Sequence, residues 1–192
     1  MLPSWKETLF QKLNLSKRDK RLGLPRTCLM GVGNDLRGDD SAGLMVVRAL
    51  LPHLPNTATS DLLLIEGGPA PENHTSKIRS FQPELVLIFD AVHMNEPSGT
   101  IQWIPLDSID GMSASSHSLP LSVLAHFLTL ELGCDVAILG IQPEQNEFDL
   151  EMSRSVCLAV DDIVDEILTC FTLPRDNEDS SPKCNFAGSQ KR

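Results

Sequence analysis

Gly31-Val-Gly-Asn-Asp-Leu-Arg-Gly-Asp-Asp-Ser-Ala-Gly43 decides how the chain is read. An apolar run, Cys28 to Met30, precedes it, and Leu44, Val46, Val47, Leu50 and Leu51 follow at helical spacing. Strand, glycine-rich turn and helix in that order open a βαβ unit. Such a turn often cradles phosphate, because the free N–H groups of a helix N-terminus attract anions. Here the residues entering the helix are Asp39 and Asp40, so negative charge stands where a phosphate would sit. The glycines are expected to let the backbone turn sharply at the end of the strand. Asp40 is expected to lie favourably against the helix dipole.

Outward from this stretch the alternation is regular. Strand one runs from Thr27 to about Val32, and helix one from about Ser41 to Leu51, stopped by Pro52 and Pro55. Asp61–Glu66 and Leu85–Asp90 are near-continuous apolar strands, each ending in a carboxylate, with a short helix between Pro71 and Ser80. Continuous rather than alternating apolar runs imply strands covered on both faces, as in parallel sheets. Ile101–Ile104 follows too closely for a helical crossover and reads as an antiparallel edge strand. A polar loop from Asp107 to Ser118, a helix from Leu119 to Leu132 ended by Gly133, a strand over Asp135–Ile141 and a last helix over Met152–Thr169 complete the body. The class is α/β, with a mostly parallel, twisted sheet and one antiparallel edge strand.

The ends differ from the body. Residues 1–26 read as a basic N-terminal extension, with Leu2, Trp5, Leu9, Phe10 and Leu13 on one face of a short helix packed on the body, and Lys17–Arg21 as a solvated linker. Residues 27–173 form the domain, and 174–192 are a polar tail expected to be disordered. The formal charge is −10 overall, yet residues 27–173 hold five Lys/Arg against 21 acids. A body this acidic argues against nucleic acid as a partner. No apolar run approaches the roughly 20 residues of a membrane helix, and no secretory leader is apparent, so no membrane insertion is expected. The five cysteines (28, 134, 157, 170, 184) are dispersed and never form C-x-x-C. They fit a reduced, cytoplasmic protein without a disulfide frame or a zinc knuckle.

Ligands of an open α/β sheet bind beyond the C-terminal ends of the strands, where the strand order reverses. Those ends carry Asn34 to Asp40, Glu66, Asp90 and Gln142. One carboxylate in such a place is as often a cap or a turn former, but three at corresponding positions point to a shared site. His117, in the small-residue loop Ser113-Ala-Ser-Ser-His-Ser-Leu-Pro120, adds an imidazole. Asp40, Glu66 and His117 would make a mixed set suited to Ni, Zn or Mn. His93 follows Asp90 closely enough to support it, whereas His53, His74 and His126 are weaker candidates. Dinucleotide binding fits poorly: Leu36 occupies the third glycine position of G-x-G-x-x-G, and no lysine offsets Asp39 and Asp40. No G-x-S-x-G elbow or recognisable cysteine nucleophile is present.

Gly31-Val-Gly-Asn34, Gly38-Asp-Asp40 and Gly43 resemble the N-terminal motif of the nickel–iron hydrogenase maturation endopeptidases. The resemblance continues, in family order, through Glu66-Gly-Gly-Pro-Ala-Pro-Glu-Asn73, Asp90-Ala91, Pro97-Ser-Gly99, Ser116-His-Ser-Leu-Pro-Leu121 and Gly140-Ile-Gln-Pro143. It is strongest toward the branch that processes hydrogenases of the formate-hydrogenlyase type. It implies a monomeric three-layer α/β/α domain that removes a short C-terminal extension from the hydrogenase large-subunit precursor. Nickel, supplied by that precursor, is implied as the feature recognised. The implied metal ligands are Asp40, Glu66 and His117, with Glu66 departing from the aspartate usual at its position. The family is classed as aspartic-type, although the D-[ST]-G elements of pepsin-like enzymes are absent, and the water-activating group stays open. A nickel-dependent chaperone of the same precursor that cuts nothing is the alternative.

Overall fold

β1 (Thr27–Val32) is buried at all six positions, as a strand covered on both faces must be. It pairs in parallel with β2 (Leu62–Gly68) on one side and β3 (Leu85–Ala91) on the other. β3 pairs in parallel with β5 (Asp135–Ile141), and β4 (Ile101–Ile104) closes that edge antiparallel, for a strand order β2-β1-β3-β5-β4. The computed structural model describes residues 3–15, 24–54, 61–106 and 119–172. The Lys17–Arg21 linker, the His117 loop and the polar tail lie outside the described residues.

Helices cover both faces of the sheet. α1 (Trp5–Leu15), α2 (Ala42–Leu50) and α5 (Arg154–Thr172) pack with Leu29, Leu64, Leu87, Phe89 and Leu139. α3 (Thr75–Phe81) and α4 (Leu121–Leu132) pack with Met30, Ile65, Val86, Ile88 and Ile138 on the opposite face. Each such side chain contributes about 2 kcal/mol by leaving water. α1 docks through Leu9 and Leu13, both buried, while the Trp103 indole N–H of β4 donates to the Trp5 carbonyl at 2.9 Å. Trp5, Leu9 and Leu13 recur every four residues and form the stripe. Phe10 points a quarter turn away and is 59% exposed, so it does not belong to the apolar face assigned to it from spacing.

Several boundaries differ by a few residues from the sequence reading, three of them for a visible reason. Helix one opens with a tight 3-10 turn, Gly38–Ser41, before α2 proper begins. β2 runs on to Gly68 because a bulge after Gly31 brings Val32 opposite Gly68 and prolongs the pairing. α5 begins at Arg154 rather than Met152 because the N–H of Ser153 is drawn away to Asp39. The glycines also divide their work. Gly33 has φ +130 and makes the turn, whereas a Cβ at Gly31 would lie 2.1 Å from the Gly43 carbonyl oxygen. Gly31 and Gly43 are therefore required by the close seating of α2 on the sheet rather than by the turn.

Candidate active site

The strand order reverses between β1 and β3: β2 lies outward of β1, while β5 and β4 lie outward of β3. The crevice at the C-terminal ends of β1 and β3 is therefore the expected ligand site of this sheet. The 3-10 turn Gly38–Ser41 delivers two acids there, and the structure separates them.

Asp39 is fully buried, and its carboxylate is turned to the segment between β5 and α5. Its Oδ2 accepts from the Glu144 N–H at 2.7 Å, the Gln145 N–H at 3.0 Å and the Ser153 hydroxyl at 3.0 Å, and its Oδ1 from the Ser153 N–H at 2.6 Å. Its own N–H donates to the Gln145 carbonyl at 3.1 Å. One carboxylate thus fastens the turn to the segment that leads into α5, satisfying backbone donors that would otherwise be stranded. Asp39 is a fastener, and the charge offered to a ligand comes from its neighbour.

Asp40 is 5% exposed. Burial pushes its carboxyl above the usual range, opposed by the charge of Arg37, the backbone N–H of Asn34 and the charge of His93. Asp90, next to last in β3, is buried beside it. Burial, and secondly the charge of Asp40, push the Asp90 carboxyl up to about 8, while the Ala91 N–H pulls the other way. Two interacting carboxyls titrate as a coupled pair, and Asp90 is the one that burial and its neighbour's charge incline to keep a proton. Asp90 Oδ2 is buried and has no hydrogen-bond partner among the described residues, and the same holds for Asn146 Oδ1. Asn146 Nδ2 lies 3.2 Å from His93 Nε2, and the Asn146 carbonyl accepts from Arg37 Nε at 3.2 Å. Asp40, Asp90, His93, Arg37 and Asn146 thus form one polar group at the crevice.

Glu66 sits near the end of β2, opposite Gly31, with its carboxylate paired to an arginine of α2. Strand alternation places it with Leu62 and Leu64 on the α2 side, whereas Asp90 shares a side with Val86 and Ile88. Its Oε2 accepts from Arg48 Nε of α2 at 2.7 Å, and Arg48 Nη2 reaches Asp35 Oδ2 at 3.1 Å. His117 lies outside the described residues, so the structure describes two of the three expected ligands and shows one of them already paired with a cation. Gln142 is structural: its Oε1 accepts from the Met94 N–H at 2.7 Å and the Glu96 N–H at 3.3 Å, pinning the segment after β3. Sequence reasoning missed Asp39 as a fastener, Arg37 and Asn146 as crevice partners, and Arg48. Of these only Asp39 carried a signal, as the acid preceding Asp40.

Comparison with known proteins finds relatives that share this fold. A family model described as hydrogenase maturation protease matches residues 46–170, from within α2 to the end of α5. The hydrogenase 3 maturation protease of Escherichia coli K12 is 34% identical over 136 residues, 70% of this chain and 84% of that protein. The crystal structure of a [NiFe] hydrogenase maturation protease, HycI, from Thermococcus kodakarensis superposes with a TM-score of 0.69 at 30% identity, covering 77% of this chain and 92% of that one. The solution structure of the endopeptidase HycI from Escherichia coli gives 0.64 at 33% identity, over 72% and 86% of the two chains.

Proposed function

The chain belongs to the hydrogenase maturation protease family and is a peptide hydrolase, and from that premise we propose that it removes a C-terminal extension from the nickel-loaded large-subunit precursor of a nickel–iron hydrogenase. The observation that carries the reading is the placement of Asp40, a buried carboxylate beside a second one, at the strand-order reversal of a fold shared with these proteases.

The metal arrives with the substrate. Nickel held by the precursor would supply polarisation of the scissile carbonyl and activation of water, and the protease would contribute side chains that complete its ligand shell. Asp40, Glu66 and His117 are the proposed protein ligands. Without the substrate's metal the set is incomplete, so cleavage waits for nickel insertion. Asp90, inclined by burial to keep its proton, limits the negative charge beside Asp40. A monomer acting in the cytoplasm suits this role, and among the described residues no helix is long and apolar enough to cross a membrane. The aspartic-type label fits in that two aspartates share the crevice. A chaperone that binds without cutting is disfavoured, because the relatives are named as proteases.

Substitution tests the ligand set. Asp40→Asn, Glu66→Gln and His117→Ala are each expected to abolish release of the C-terminal peptide from loaded precursor while leaving the far-ultraviolet circular dichroism spectrum unchanged. Full processing by any one of them removes that residue from the set.

A further inference from the structure

We infer that Arg48 is a latch on Glu66: in the free enzyme it occupies this carboxylate, and the metal-loaded precursor must draw it off. The inference rests on the reading of Glu66 as a ligand for the precursor's nickel. Its own evidence is the Arg48–Glu66–Asp35 chain, with nitrogen–oxygen distances of 2.7 and 3.1 Å.

Two protein carboxylates that ligate one metal ion approach each other to within the width of its coordination shell. Strand alternation turns Asp90, with Val86 and Ile88, to the α3 and α4 side of the sheet. Glu66 is instead turned to the α2 side, where the guanidinium engages one of its oxygens. A cation approaching Glu66 meets a positive charge already in contact with it, and the two compete for the same lone pairs. The length of the side chain matters. The glutamate side chain reaches from β2 to the guanidinium of Arg48 in the last turn of α2. Asp35 holds the far end of the guanidinium and keeps Arg48 at its post.

The latch gives the enzyme selectivity for metal presented by the precursor. A free divalent ion must break the ion pair with nothing but its own affinity for the site, whereas the precursor brings many other contacts that offset the same cost. The latch is also weak by design. Arg48 and Glu66 are 38% and 40% exposed, and solvent-exposed pairs of this kind hold equilibria by only a few-fold. Such a device tunes affinity without blocking the site.

The test is calorimetric titration of the full-length protein with nickel chloride at low ionic strength, in wild type, Arg48→Gln, Arg48→Lys, Glu66→Gln and the Arg48→Gln/Glu66→Gln double variant. The expected result is about fivefold tighter nickel binding in Arg48→Gln. Arg48→Lys should fall between that variant and wild type, and the gain should vanish when Glu66→Gln is added. Unchanged affinity in Arg48→Gln, or a gain that persists without Glu66, overturns the latch. Precursor processing by Glu66→Gln separates the two failures. Lost processing together with unchanged nickel affinity in Arg48→Gln sinks the latch alone, and retained processing sinks the ligand reading beneath it.

Discussion

At the crevice between β1 and β3, Asp39, Asp40 and Asp90 are 0%, 5% and 3% exposed. Beyond the end of β2, the carboxylates of Glu66 and Asp35 are 40% and 53% exposed and share one arginine. Both regions place acids at strand ends, and burial decides what the acids do. In the crevice, desolvation makes a carboxylate either collect donors, as Asp39 does, or hold its proton, as Asp90 does. On the β2 rim, water screens the charges and the acids remain solvated, loosely paired and free to exchange partners. The rigid half can position a reacting group, and the loose half can respond to what binds.

The largest expected effect sits in the rigid half. Asp39→Ala leaves the N–H groups of Glu144, Gln145 and Ser153 without their acceptor and is expected to lower stability by about 4 kcal/mol. Urea unfolding checks it, and a loss below about 1 kcal/mol breaks the account of Asp39 as a fastener. Next is Asp40→Asn. It is expected to reduce processing about a hundredfold or more, equivalent to about 2.7 kcal/mol of barrier, while stability holds or rises because a desolvated carboxylate has been removed. The opposite outcomes for adjacent aspartates would show that one fastens and the other reacts.

The third prediction concerns pH. Asp90 titrates near 8 in the folded protein and near 3.9 when unfolded. Between about pH 4 and 8 the folded state therefore binds the extra proton, and the free energy of unfolding falls as pH rises through that window and levels off above it. Asp40, also raised, acts in the same direction. Asp90→Asn is expected to flatten this slope, gaining stability over wild type steadily as pH rises from 4 to 8. A parallel pH profile for the two proteins contradicts the buried-proton assignment. The smallest effect lies on the rim. Arg48→Gln should cost less than about 1 kcal/mol in stability, and that cost should shrink in high salt.

Much of the fold was legible because its signals are local. Leu62–Ile65 and Leu85–Phe89 are unbroken apolar runs, and such runs mark strands buried on both faces. Ile101–Ile104 stood too near β3 for a parallel crossover, and it pairs antiparallel with β5. The C-terminal ends of the strands were legible too, and they located Asp40 and Asp90 without any side-chain geometry. The division between Asp39 and Asp40 was hidden, because a 3-10 turn sends neighbouring side chains in different directions and Asp39 finds its partners more than a hundred residues away. Arg48 was hidden for a related reason. Its contacts join the end of α2 to the rims of two strands, and only the folded chain brings an arginine in a helix to the carboxylates of Asp35 and Glu66.

The most direct test of a metal-gated peptidase is to incubate the purified protein with nickel-loaded and with nickel-free large-subunit precursor and to follow the mass of the precursor. The account predicts loss of a C-terminal peptide from the loaded form and an intact nickel-free form. Equal cleavage of both forms would contradict the gating, and an intact loaded form would contradict the assigned reaction.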